Sequence, residues 1–117
     1  MSSQSIERQP LPSWVQGRDN ANAVQVMLDY LALPAPTLIG REDAVYVTVA
    51  DIDDLGLWLA KRGGEIHISP AFEGIEMWTL HTYTPVRGDG SRVAIRVSVP
   101  LPTGELVMDD IRAAVSR

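Results

Sequence analysis

GIEMWTLHTYTPVRGDGSRVAIRVSV, residues 74–99, is the stretch that decides the fold. Its first part, 74–84, and its last part, 91–99, are rich in β-branched and aromatic residues, which favour β-strands. Residues 85–90 between them contain a proline, two glycines and an Asp-Gly step, which are typical of a tight turn. The stretch therefore predicts a β-hairpin.

The alternation of side chains assigns the two faces of this hairpin. In the second strand, four aliphatic side chains point to one side, while two arginines and two small residues point to the other. A symmetric closure of the loop pairs Thr84 with Ser91, whereas a bulge at Gly88 or Gly90 would exchange the faces. The symmetric closure predicts a core face made of Trp78, Leu80, Thr82, Val93, Ile95 and Val97.

The opposite face of the hairpin differs from an ordinary solvated sheet surface. Such a surface carries mostly lysine, glutamate and threonine, whereas this one combines methionine, tyrosine, histidine and arginine. The mixture suits a protein partner or a ligand. The simpler interpretation is that a helix or the N-terminal arm covers part of it. The residues of this face are Ile75, Met77, Thr79, His81, Tyr83, Arg92, Ala94, Arg96 and Ser98.

Length and composition restrict the class of protein. The 117 residues, 45% of them hydrophobic, suffice for one domain with a buried core. The absence of cysteine excludes disulfides, thiol nucleophiles and cysteine-ligated metals, and it fits a cytoplasmic location. We expect neither a membrane span nor a signal peptide. The net charge of −5 argues against direct nucleic-acid binding, and the nine arginines to one lysine suggest a bacterium with a GC-rich genome.

The first third of the chain predicts an arm and a helix. Residues 1–13 predict a flexible N-terminal arm, and 14–117 a single α+β domain. A helix capped by Asp19 or Asn20 runs to about Leu33. Pro34 and Pro36 then predict an extended linker. The apolar stripe of the helix consists of Val24, Met27, Leu28 and Leu31, widened by Val26 and Tyr30.

The remaining elements complete an α-β-α-β-β-β-α order. We expect strands over 44–50 and 65–69, with a helix over 52–62 between them that is capped by Asp51. Pro100 and Pro102 are expected to end the sheet, and Thr103 to cap a helix over 104–115. This predicts a mostly antiparallel four-stranded sheet with helices on one face. Strands 44–50 and 65–69 would form a right-handed crossover if they are parallel.

The inner β-α-β-β-β order resembles, in topology alone, the module of the vicinal-oxygen-chelate enzymes. Their metal-ligand pattern is not present in this sequence.

The acidic cluster Asp51, Asp53 and Asp54 is explained by helix capping and by the helix dipole, so it does not indicate a metal.

Two histidines form the candidate chemical site. If their strands are neighbours, His67 and His81 share a surface that could bind a metal or serve acid–base chemistry at an anionic substrate. The surface would also hold Glu65, Thr79, Tyr83, Arg92 and Arg96. Single histidines on strands are more often plain surface residues. Separately, Arg87, Arg92 and Arg96 could hold an anion near the hairpin loop.

The sequence contains no P-loop, G-x-G-x-x-G, G-x-S-x-G or H-E-x-x-H motif, so we assign no catalytic residue, metal ligand or cofactor. It favours a non-enzymatic interaction module that forms a homodimer or binds another protein. One alternative is a small-molecule-binding or metal-binding protein, or a minor enzyme, that uses both histidines. Another is an acidic regulator that occupies a nucleic-acid-binding partner. The predicted interface comprises Trp14, His67, Met77, Thr79, His81, Tyr83, Arg92 and Arg96.

Overall fold

The computed structural model describes residues 12–116, and in that part of the chain three helices lie on one side of a five-stranded mixed sheet. The helices are α1 (Ser13–Leu31), α2 (Ile52–Arg62) and α3 (Asp109–Ala113). The strands are β1 (Thr37–Gly40), β2 (Val45–Thr48), β3 (Glu65–Ile68), β4 (Ile75–Tyr83) and β5 (Ala94–Pro102). The predicted α+β class with helices on one face is confirmed. Within the same residues, no helix is both long and apolar enough to cross a bilayer.

β5 is the central strand of the sheet, whose order is β1-β2-β5-β4-β3. It pairs in parallel with β2 and antiparallel with β4. β1 and β3 form the two edges, each antiparallel to its neighbour. β2 and β3 are therefore parallel in one sheet, as the crossover prediction requires, but two strands lie between them. The predicted count of four strands is wrong by one.

The central hairpin has the predicted faces in a different register. Trp78 pairs with Val99 and Leu80 with Val97, two residues further along β5 than the symmetric closure predicts. Because side chains alternate with a period of two, an even shift leaves every residue on its predicted face. Trp78, Leu80 and Thr82 are accordingly buried.

β5 continues through two prolines that were expected to end the sheet. The N–H of Thr103 donates to Gly74 O, and Ser98 O accepts from Val49 N–H. Odd positions of β5 therefore turn their backbone groups to β4 and even positions to β2. Pairing with β2 ends at Ser98. Pro100 and Pro102 thus turn their ring nitrogens to the β2 side of β5. Because β2 has already ended there, no neighbouring strand needs an N–H donor from them.

Helix α1 begins earlier than the capping residues predict. It starts at Ser13 and ends where Ala32 takes the left-handed conformation (φ 55°), one residue before Leu33. Asn20 is not a cap. Its buried side-chain amide donates to Arg41 O at 2.9 Å and so holds the turn between β1 and β2. The arm prediction falls mainly on residues 1–11, outside the described residues, while Ser13 belongs to the helix.

The apolar stripe of α1 is narrower than predicted. Val24, Met27 and Leu28 are buried against the sheet. Val26 and Tyr30, which were expected to widen the stripe, are instead 70% and 88% exposed. The helix therefore has an outer apolar surface as well as an inner one.

The helix predicted over residues 52–62 is confirmed as α2. Asp51 Oδ1 accepts from the N–H of Asp54 at 3.1 Å, and Gly63 follows the last turn. Trp58 is completely buried, and its indole N–H donates to Pro34 O at 2.8 Å. α2 thereby ties the segment after α1 to the core.

The third helix is shorter than predicted. Gly104 has φ 88°, and Glu105 N–H donates to Pro102 O, so the chain turns after β5 instead of starting a helix at Thr103. α3 begins only at Asp109. The residues after it pair with the edge strand β3: Ile66 N–H donates to Ala114 O, and Ser116 N–H donates to Ile66 O, both at 2.8 Å.

Two glycines allow α1 to approach the edge strand β1. A Cβ atom on Gly40 would lie 2.1 Å from the carbonyl oxygen of Gly17, and one on Gly17 would lie 2.6 Å from that of Gly40. Both contacts are with backbone, which cannot move aside as a side chain can. The closeness of α1 to the sheet therefore depends on the absence of side chains at these two positions.

We expect Gly40→Ala to lower the free energy of unfolding by about 2 kcal/mol, because helix and strand must separate to admit the methyl group. Urea denaturation followed by circular dichroism measures this loss. Gly88→Ala is the matched control, since its Cβ would meet no atom within 4 Å. Equal stability of the two variants would contradict the close-approach argument.

Candidate functional site

The described residues leave one face of the sheet uncovered. The core lies between the sheet and the helices, so alternate side chains of all five strands point away from the helices. We call this surface the open face. Its side chains are Thr37, Ile39, Tyr46, Thr48, Glu65, His67, Ile75, Met77, Thr79, His81, Tyr83, Ala94, Arg96, Ser98, Pro100 and Pro102.

The open face carries five large apolar side chains that are only partly shielded from solvent. Their exposed fractions lie between 37% and 47%, for Ile39, Tyr46, Ile75, Met77 and Tyr83. Single exposed apolar residues are ordinary on a protein surface, whereas several on one flat face are typical of a contact surface.

Strand pairing brings the two histidines together near the β3 edge. His67 lies opposite Thr79, and His81 lies opposite Glu65. The imidazole rings contact each other, with centroids 4.2 Å apart and planes tilted by 45°. Glu65 Oε1 lies 3.3 Å from His67 Nε2. Within residues 12–116, however, no group of three His, Cys, Asp or Glu side chains is placed to hold a metal ion.

Arg96 extends this cluster to the middle of the sheet. It lies opposite His81 on β4 and opposite Tyr46 on β2. Its Nη1 donates to Ile95 O at 3.2 Å, and no carboxylate of the described residues lies within 4.0 Å of its guanidinium. Together these side chains line a shallow depression of about 400 Å³, here called the central depression. Its lining is Tyr46, His67, Ile68, Ser69, Thr79, His81, Arg96 and Ser98.

Hydrogen bonds fix two polar groups beside the central depression. The Tyr46 hydroxyl donates to Asp43 Oδ2 at 2.8 Å, which raises the pKa of Tyr46 above its ordinary value. Thr79 Oγ1 and Ser98 Oγ lie 2.9 Å apart and share a hydrogen bond. The tyrosine thus stays neutral beside Arg96, its pairing partner on β5.

His81 favours its neutral form. Burial lowers the pKa of His81 most, and the positive charge of Arg96 and the neighbouring His67 lower it further, while Glu65 acts in the opposite direction. A neutral imidazole accepts one hydrogen bond and donates another. The central depression therefore combines one permanent cation with neutral donors, which suits an anionic group better than a metal.

The structure separates the other candidate residues. Arg92 lies over the ring of Tyr83, with its Cζ 3.7 Å from the ring centroid, in a cation–π contact. Arg87 lies in the loop between β4 and β5 and lines a different groove. The three arginines therefore do not form one anion site. Trp14 is in the first turn of α1, beside Arg18 and outside the open face.

Tyr46 and Ile39 belong to the open face, although neither is among the interface residues predicted from the sequence. Alternation along β2 puts Tyr46 on the side opposite to the buried Val45 and Val47. What was missing was the position of β2 next to β5, because that pairing joins residues far apart in the chain. The extended linker predicted after Pro34 contains β1, which carries Ile39.

We expect the NMR titration midpoint of the His81 ring to lie below 6.5, the ordinary histidine value. Because the unfolded chain then binds this proton more tightly, the contribution of His81 to stability falls as the pH drops below about 6.5. Arg96→Gln removes a nearby positive charge and should raise the midpoint. Arg92→Gln is the control and should leave it unchanged. A midpoint at or above 6.5, or no response to Arg96→Gln, would contradict this account.

Comparison with protein-family models, with curated proteins and with solved structures found no match to this chain.

Proposed function

We propose that this protein is an interaction module that forms a homodimer through the open face of its sheet. The observation that supports the proposal is the one-sided placement of the helices, which leaves partly exposed large apolar side chains on three of the five strands, β1, β2 and β4. Residues of these types, with arginine, are enriched in the centres of protein interfaces. Covering them removes apolar surface from water, which favours association.

The size of the open face is compatible with an interface. With strands spaced about 4.8 Å apart and about 3.3 Å per residue, the 30 residues of the five strands give a projected area of roughly 500 Å². Side chains that stand above the sheet expose more area than this projection. A stable interface of standard size buries about 800 Å² on each partner. The open face therefore suits a dimer of modest affinity.

The charges on the open face favour a second copy as the partner. Arg96 lies on the central strand without a carboxylate within ion-pair distance among the described residues. Glu65 lies on the edge strand β3 of the same face. In a two-fold arrangement each contact occurs twice, so an axis near β4 would bring Arg96 of each copy towards Glu65 of the other. One surface thus carries both members of a complementary pair.

We expect Tyr83→Ala, Arg96→Ala and Met77→Glu each to weaken self-association without unfolding the domain. Loss of a central aromatic or arginine commonly costs ~2 kcal/mol or more, which is about a 30-fold rise in Kd. Met77→Glu should act at least as strongly, because it adds a desolvated charge. Sedimentation equilibrium of the 12.8 kDa chain across a range of concentrations measures the dimer constant.

Leu57→Ser is the matched control for this experiment. Leu57 lies on α2 and is 50% exposed, which is comparable with the apolar residues of the open face. It should leave self-association unchanged. A chain that stays monomeric at high concentration, or a dimer that all three open-face variants leave intact, would overturn the proposal.

The central depression supports a second candidate function, which is the binding of a small anion. The supporting observation is that Arg96, His67 and His81 line one concavity of about 400 Å³. An anion there would accept hydrogen bonds from the guanidinium and from the imidazole N–H groups. The same binding would favour protonation of His81, whose pKa is otherwise lowered.

We expect inorganic phosphate to shift the NMR signals of His81 and its neighbours in a saturable way, and more strongly at pH 6 than at pH 8. Arg96→Gln should weaken this binding about tenfold, the loss of one charge-assisted pair. Arg92→Gln should have little effect, since Arg92 is stacked on Tyr83 outside the central depression. Shifts that never saturate, or that Arg92→Gln abolishes equally, would exclude a site at Arg96.

A further inference from the structure

A second concave surface lies on the helix side of the molecule, away from the open face. It is a groove of about 610 Å³ between the second half of α1, the end of α2 and the start of the β4–β5 loop. We call it the α1 groove. Its volume falls within the ~300–1,000 Å³ typical of small-molecule sites. Its walls include Val26, Met27, Tyr30 and Leu31 from α1 and Pro85 from the loop.

The α1 wall of this groove is apolar without being covered. Val26 and Tyr30 are four residues apart, so they stand one above the other on the same helix face. They are 70% and 88% exposed. Neither is needed for the core, because Val24, Met27 and Leu28 already bury the inner stripe of the helix. Packing of α1 against the sheet therefore does not account for these two apolar side chains.

The opposite wall of the α1 groove is cationic. The Arg62 Nε and Nη2 groups both donate to Tyr83 O, at 3.2 and 3.1 Å, which fixes the guanidinium and leaves further N–H groups for a ligand. Arg87 lies in a loop held by its own hydrogen bonds, Arg87 N–H to Ser91 O and Gly90 N–H to Arg87 O, both 2.9 Å. No carboxylate of residues 12–116 lies within 4.0 Å of either guanidinium.

The nearest acidic side chain in this loop is engaged elsewhere. Asp89 Oδ1 accepts from the Ser91 N–H at 2.9 Å and from the Ser91 hydroxyl at 2.6 Å. These hydrogen bonds, together with the charge of Arg87, lower the pKa of Asp89. The two arginines therefore add positive charge at one end of an apolar groove, on a protein whose net charge is −5.

We propose that the α1 groove binds a lipophilic monocarboxylate, a molecule with an alkyl or aryl body and one carboxylate. The body would lie along Val26 and Tyr30, and the carboxylate would accept hydrogen bonds from Arg62 and Arg87. Guanidinium groups match a carboxylate in charge and in geometry. A multiply charged anion fits less well, because the apolar wall offers it no partner and the acidic protein repels it.

Titration of the full chain with sodium decanoate, by calorimetry and by amide NMR, tests this site. We expect saturable binding of one decanoate per chain, with shifts at residues 23–31 and around Arg87. Acetate, which lacks the chain, should not bind. Decyltrimethylammonium, which reverses the charge, should bind at least tenfold more weakly than decanoate.

Paired variants separate the two walls of the groove. Arg87→Gln should weaken decanoate binding about fivefold or more and leave 1-decanol binding unchanged. Val26→Ser should weaken the binding of both. The controls are Arg18→Gln and Leu106→Ser, which remove a charge on the first half of α1 and a 90% exposed apolar side chain outside the groove. Both should bind decanoate like the unaltered chain.

Several results would overturn the inference. These are no saturable decanoate binding, equal affinity for decanoate and decyltrimethylammonium, or binding that Arg87→Gln and Val26→Ser leave intact. A loss of self-association in Val26→Ser would show instead that the groove is an interface between copies. Met77→Glu on the open face should not affect decanoate binding, so failure of the dimer proposal and failure of this one are distinguishable.

Discussion

The structure depends on the burial of one row of side chains along β5. This strand pairs on both sides, and Ile95, Val97, Val99 and Leu101, with Val93 just before the strand, are buried in the core with at most 6% of their surface exposed. A strand that buries every second residue must present the others on the opposite side. Arg96 reaches the middle of the open face for this reason. The core and the candidate site are therefore two sides of one strand.

Local signals in the sequence were sufficient for part of the fold. Helix α2 was predicted over its observed range because Asp51, its apolar face and Gly63 all act within one element. The faces of the hairpin were predicted correctly because the observed register differs from the predicted one by two residues, and an even shift leaves every side chain on its face. The register itself was wrong, since the loop is closed by Thr84 and Val93 rather than by Thr84 and Ser91. A loop sequence alone does not determine which residues close it.

Other elements depend on contacts between distant residues. Asn20 has the chemistry of a helix cap, but its amide is used by the turn after β1, which no local pattern indicates. Pro100 and Pro102 are tolerated in β5 only because β2 is short. The sequence predicts a shared surface for His67 and His81 only on the condition that their strands are neighbours, and the place of Tyr46 likewise depends on strand order. The α1 groove could not be predicted from the sequence, because Val26 and Tyr30 have the spacing of core residues and only the position of the helix shows that they are exposed.

The pairing of residues 114–116 with β3 determines how long this sheet edge stays exposed during synthesis. Edge strands with free backbone groups can recruit strands from other chains, and proteins commonly cover them. At Ile66 both backbone groups of this edge are paired: its N–H donates to Ala114 O, and its carbonyl oxygen accepts from Ser116 N–H. These covering residues follow all five strands in the chain. A nascent chain therefore carries an unprotected β3 edge until residues 114–116 have been synthesised. In that interval, intermolecular strand addition, and so aggregation, competes with folding.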